Sequence, residues 1–212
     1  MINLPQSTEF NKKIPKQQFY DNLDVSKTVK KVFVEQIKAI YWQNKFSKDT
    51  VNIAEGEKVK EIEFFKIELN TEKLDETIIK LIDKGIPYNI IFVFEFNGNQ
   101  QMCAALKEID SKGECKINSK YYYTGWTDKL SVEVVGLSLD TVYENFIRQI
   151  AGNHIAYKTD NLNDDISKTE SKIKLEKEIV RLEKLARSEK QPRKKLELAE
   201  QVKKLKKQLS EV

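Results

Sequence analysis

The stretch YNIIFVFEFNGNQQMCAALK, Tyr88 to Lys107, decides the fold. Ile90 to Phe94 is apolar at every position, so both faces of this segment need cover, as in the middle of a sheet. No apolar run in the chain is longer, and it is far too short to cross a bilayer. Pro87 launches the strand, and Asn97-Gly98 ends it. Those two residue types accept the left-handed backbone of a two-residue hairpin turn. The chain is expected to return through Met102–Lys107 as the paired strand.

Upstream, Leu74, Ile78, Leu81 and Ile82 fall on one side of a helix, with Gly85 as its C-cap. Val59 to Leu69 predicts a strand in which Ile62 and Phe64 share one parity and Phe65, Ile67 and Leu69 the other. Either both faces are buried or a bulge near Phe64-Phe65 swaps them. Val29, Val32, Phe33, Gln36, Ile37, Ile40 and Tyr41 are spaced as one helical face, capped at Asp24 or Ser26 and ending from Trp42 to Asn44. Before it, Pro5 and Pro15 mark an extended lead-in that lays Leu4, Phe10, Ile14, Phe19 and Tyr20 on the domain. Downstream, Lys116–Tyr123 predicts a strand and Lys129–Val135, near Trp126, a short one. Asp140 is expected to cap a helix carrying Val142, Tyr143, Phe146, Ile147 and Ile150, which Gly152 stops. The order predicts an α+β fold with a mostly antiparallel mixed sheet and packed helices over residues 1–156.

Residues 157–165 form a polar, Asp/Asn-rich hinge, and 166–212 a different kind of segment. Leu175, Ile179, Leu182 and Ala186 repeat at 4-3-4 spacing, as do Leu198, Val202, Leu205 and Leu209. Pro192, with no backbone N–H, breaks a straight helix and suits the first turn of a new one. Two short seams around a breaker predict an antiparallel helical hairpin of coiled-coil type; the alternative is a kinked helix that pairs with a second copy of the chain. This arm holds 15 Lys+Arg against 8 Asp+Glu, whereas residues 1–165 hold 22 against 25. The net basicity belongs to the arm alone. Arg187, Lys190, Arg193, Lys194 and Lys195 crowd its tip and can meet phosphates or an acidic protein surface.

The 212 residues allow one medium domain with an appendage, and 18 Phe and Tyr are enough to build a core. The polar N-terminus has no signal-peptide pattern, and Cys103 and Cys115 have no metal-like spacing, so a reducing cytoplasm is expected and no membrane partner. His154, the single histidine, lies just past a helix end and is expected at the surface. No glycine-rich phosphate loop occurs, and no cofactor is expected. One catalytic alternative remains, a metal-dependent nuclease loosely similar to the PD-(D/E)XK type. Glu61 and Glu63 share a strand face, Glu95 lies on the central strand and Lys107 on its expected partner, a set that could bring Mg²⁺ and water to a phosphodiester. Ala105 stands where that motif needs an acid two positions before the lysine, and Glu63-Phe64-Phe65-Lys66 has one residue too many. Lys12, Lys13 and Lys16, the arm tip, and Tyr121, Tyr122, Tyr123 and Trp126 offer cations and stacking rings to a nucleic acid. Three tyrosines in succession cannot all face inward on one strand, so at least one is expected to be exposed.

Leu4-Pro5, Ser7-Thr8, Asn11-Lys12, Ile14-Pro15-Lys16 and Phe19-Tyr20 resemble the opening of an uncharacterised bacterial family, domain of unknown function 4391. Glu61-Ile62, Ile86-Pro87, Trp126, Tyr143-Glu144 and Arg148-Gln149-Ile150 fit the same pattern, so the resemblance covers about residues 2–152. The tail, with Glu189-Lys190-Gln191 and Lys195-Leu196-Glu197-Leu198, is similar to a hairpin appended to several members. Members are often encoded beside a DNA methyltransferase and a helicase of restriction-like systems. The resemblance therefore implies a non-catalytic accessory role in restriction or phage defence, with such a protein or DNA as partner. It carries no catalytic residue.

Overall fold

In the computed structural model, which describes residues 2–22, 26–159 and 161–211, the chain divides into two units, Met1–Gly152 and Asn153–Val212. The first holds helices α1 (Lys16–Asn22), α2 (Lys27–Gln36), α3 (Glu76–Gly85) and α4 (Leu139–Ala151). Its strands are β1 (Glu9–Ile14), β2 (Ile37–Phe46), β3 (Ile62–Leu69), β4 (Asn89–Phe96), β5 (Asn99–Ala104), β6 (Lys107–Ile109), β7 (Cys115–Ile117) and β8 (Tyr122–Tyr123). Six of them form a mixed sheet in the order β1-β2-β3-β4-β5-β8, while β6 and β7 pair separately. All pairings in the large sheet are antiparallel except β3 with β4, which requires a crossover, and α3 supplies it. The fold is α+β.

Cover on both faces explains why the central strands are apolar throughout. On one face Phe65, Ile67, Phe92 and Phe94 pack with Phe19 of α1, Phe33 of α2 and Ile78, Ile79 and Ile82 of α3. On the other, Phe146 of α4 meets Phe46 and Phe64 edge-on at 5.7 and 5.4 Å. Burying one such aromatic side chain contributes about 2–3 kcal/mol, so the two layers hold the sheet from both sides.

Several expected elements are redrawn. The helix expected to run to Trp42 stops at Gln36; Ser26 caps its start, Asp24 lies outside the described residues, and the side chain of Tyr20 is not described. Ile37 turns extended (φ −103, ψ 124), and Ile37–Phe46 becomes a strand held between β1 and β3. Strand partners on both sides outweigh the helical spacing, and the β-branched and aromatic residues Ile37, Ile40, Tyr41 and Trp42 suit them. Asn70 completes the switch: its backbone N–H donates to the Gln36 carbonyl and its side chain to that of Glu35.

The lead-in is an edge strand, β1, and it lays Phe10, still about half exposed (47%), against Trp42 with ring centroids 4.3 Å apart. Asn97 (φ 48) and Gly98 (φ 81) make the expected turn, but β5 pairs at once, Asn99 opposite Phe96, and ends at Ala104. Lys107 therefore leaves that hairpin for β6. Lys116–Tyr123 is not one strand but parts of β7 and β8, and Lys129–Val135 holds no strand. Gly85 is the last residue of α3, and Ile86 caps it in an extended conformation. The α4 N-cap is Ser138, in a capping box with Thr141; Gly152 ends the helix at φ 52, as expected.

The second unit contains α5 (Leu162–Ser188) and α6 (Pro192–Glu211), which pack as the expected hairpin. Ile179, Leu182 and Val202 are buried between them, with Leu198, Leu205 and Leu209 against that core. Lys206 pairs with Glu183 at 2.8 Å. Asn161 caps α5, whose first residues fall within the stretch expected as a hinge.

Asp140, freed from capping, accepts hydrogen bonds from the backbone N–H groups of Glu57, Lys58 and Val59 at 2.7, 3.2 and 2.7 Å. One carboxylate thus fastens the loop that leads into β3. Asp140→Ala is expected to destabilise the chain by about 2 kcal/mol, the scale of hydrogen bonds to a charged group, measured as a lower urea midpoint.

Candidate functional site

Trp42 stands opposite Phe65 and Asn44 opposite Phe64, so Gln43 is an extra residue on β2. Such a bulge shifts the in–out alternation of its strand by one. Before it, Ile40 and Trp42 face the layer of Phe65 and Ile67; after it, Phe46 faces Phe64 on the opposite side. Lys45, the register partner of Glu63, is thereby brought to the same face as Trp42. β3 itself is buried on both faces, and the irregularity expected near Phe64-Phe65 lies across the ladder from it.

These placements converge on Glu63, which is 1% exposed. Its Oε2 accepts a short hydrogen bond from the Trp42 indole N–H, and its Oε1 is buried without a hydrogen-bond partner among the described residues. Burial pushes the Glu63 carboxyl up to about 8; the Trp42 hydrogen bond opposes this, the adjacent Glu61 carboxyl adds to it and Lys45 counters it. Glu61 is held by Lys45 at 2.8 Å. Glu63 lines a pocket of about 300 Å³ whose walls include Ile14, Phe19, Trp42, Phe65 and Ile86, with the exposed Lys12, Lys13 and Tyr88 also lining it.

Of the four residues weighed for a nuclease, only Glu61 and Glu63 come together. Glu95 stands beside Glu68 in the β3–β4 ladder, hence on the face opposite Glu63. It pairs with Lys66 at 2.9 Å and accepts a hydrogen bond from Gln100. Burial would raise its pKa, but those two donors outweigh it and hold the carboxyl low. Lys107 is not on the partner strand of β4; its buried ammonium donates to the carbonyls of Asp83, Ile86 and Tyr88 and to the Asp83 carboxylate, at 2.5 to 3.0 Å. Tyr121 donates to the other Asp83 oxygen at 2.7 Å. Burial raises the Asp83 pKa, and Lys107 and Tyr121 pull it back. Every donor of Lys107 is spent inside the fold. Among the described residues, no group of three or more His, Cys, Asp or Glu side chains is placed to hold a metal ion.

The expected stacking surface is largely closed. Tyr121 and Tyr122 are buried and Tyr123 is half-buried, because the sheet edge is covered on both sides; Trp126 is half-buried against Phe96. None of the three tyrosines is exposed, contrary to expectation. Lys16 is partly buried and donates to the Ile37 carbonyl at 2.7 Å, so it ties α1 to β2. Lys12 and Lys13 are exposed on β1, and His154 is at the surface as expected. In the second unit, Arg187, Lys190, Arg193, Lys194 and Lys195 are all exposed around the bend. Arg187 and Arg193 reach Glu183 and Glu197 at 4.0 and 3.5 Å, while Lys190, Lys194 and Lys195 form no ion pair among the described residues. Trp42, Lys45 and Asp83 were not singled out from sequence. Trp42 ends the segment whose helical spacing masked a strand, Lys45 lies just past it in the same strand, and Asp83 follows the last apolar residue of its helix.

The chain belongs to the family described as Domain of unknown function (DUF4391), whose model matches residues 2–209 and so takes in the hairpin as well as the sheet. No curated protein and no solved structure matches it.

The raised Glu63 pKa makes a signed prediction. Its carboxyl in the unfolded chain loses its proton near 4.5, whereas the folded protein holds it until about 8. Between those values the unfolded state binds fewer protons, so this group's contribution to stability falls as pH rises, by about 1 kcal/mol per pH unit. Glu63→Gln removes that dependence. Its urea midpoint is expected to gain on that of the parent steadily across the window; a constant difference contradicts the placement.

Proposed function

We propose that this family member is a non-catalytic accessory protein that docks on DNA through the tip of its helical hairpin, in the restriction-like or phage-defence setting implied by the family resemblance. The observation that carries it is the position of the tip cations. Arg193, Lys194 and Lys195 occupy the first turn of α6, which has no acidic residue. The positive end of a helix dipole favours acids there and disfavours cations. Arg193 gains only an exposed pair with Glu197 one turn on, and Lys190, Lys194 and Lys195 form no ion pair among the described residues.

Phosphates are the partner such a cluster suits. Three exposed ammonium groups at the bend, none in an ion pair among the described residues, can each displace a counterion from a duplex, with a sequence-independent gain in affinity. The first unit supports the non-catalytic part: Lys107 and Glu95 are consumed by internal bonds. Bond-breaking chemistry would then lie with a partner, a methyltransferase or helicase by the resemblance.

The test uses the full chain and a variant carrying Lys190→Glu, Lys194→Glu and Lys195→Glu. The parent is expected to bind duplex DNA with log K falling against log salt at a slope of about −3. The variant should bind at least about tenfold more weakly and with a shallower slope. Equal binding by both, or none by the parent, overturns the proposal.

A further inference from the structure

We infer that the pocket beside Glu63 takes a nucleotide, its base against the apolar wall and its phosphate toward Lys12 and Lys13. This goes beyond docking by the hairpin and does not depend on it. The pocket holds about 300 Å³, the lower end of small-molecule sites and enough for a base with its sugar. Phe65 and Trp42 give it flat apolar cover. A ligand made only of hydrocarbon would leave the unpartnered Oε1 of Glu63 unsatisfied, a cost that a polar ring edge removes.

Charge selects the other end. Lys12 and Lys13 line the same pocket, are exposed, and form no ion pair among the described residues. They repel a cationic ligand and attract an anionic group. A flat body, a polar edge and an anionic end together describe a nucleoside phosphate, free or as one residue of a single strand.

Isothermal titration of the full chain with AMP, CMP, GMP, UMP and a short single-stranded oligonucleotide tests this. At least one ligand is expected to bind with submillimolar Kd, about −4 kcal/mol or better. The Lys12→Ala/Lys13→Ala variant, altered only on an exposed edge strand, should weaken it at least about tenfold. Charge reversal at the hairpin tip should leave mononucleotide binding unchanged. Binding of a mononucleotide supports a free ligand, and binding of the oligonucleotide alone with the same response to the lysine variant supports a strand. No binding by any of them, binding indifferent to Lys12 and Lys13, or loss of mononucleotide binding in the tip variant overturns the inference.

Discussion

One extra residue, Gln43, governs how the first unit is put together. An unbroken β2 would keep Trp42 and Phe46 on one face of the sheet. The bulge sends Phe46 to meet Phe64 and Phe146 on one side, and leaves Trp42 and Lys45 beside Glu63 and Glu61 on the other. The same local irregularity therefore completes an aromatic core and builds a polar pocket. Bulges cost a ladder bond and are kept where they re-aim a side chain. Here Lys45 is brought to the face on which Trp42 meets Glu63, and there it pairs with Glu61.

The chain's charges divide into those the fold consumes and those it leaves free. Lys107, Asp83 and Tyr121 form a closed buried network in which every donor has an acceptor. Removing one member of such a pair strands the other at a cost of about 3–5 kcal/mol, so the network is a clamp between α3, the start of β4 and β6. Glu95 and Lys66 are similarly satisfied on the opposite face. Within the sheet one Glu63 oxygen is buried without a hydrogen-bond partner among the described residues, as are the side-chain oxygens of Gln43 and Gln100, and of these three Glu63 alone carries an ionisable group. At the surface Lys190, Lys194 and Lys195 of the hairpin tip form no ion pair among the described residues. Binding is sought at these two places because stability does not explain either.

Much of this architecture was legible because its signals are local. Asn97-Gly98 announces its own turn, Pro192 its own helix start, and the 4-3-4 seams their own hairpin. The central strand declared itself by needing cover on both faces. What failed depended on partners distant in sequence. Ile37, Ile40 and Tyr41 fit a helical face and a strand equally well, and only pairing with β1 and β3 decides between them. Lys107 looked like a hairpin residue because β5 could not be seen to end at Ala104. Of the site, Glu61 and Glu63 stood out as acids sharing a strand face, whereas Trp42 was hidden at the end of the expected helix and Lys45 just beyond it. The bulge that joins them has no sequence mark of its own.

Glu63 is enclosed with Trp42, Lys45 and Glu61 on one face of the sheet, and its carboxyl can be titrated directly. A ¹³C NMR titration of the Glu63 side-chain carboxyl in the full chain reads that environment atom by atom. The bulged register places its midpoint at about 8. A midpoint in the ordinary glutamate range, near 4.5, would mean a solvated carboxylate and would contradict the arrangement around Gln43.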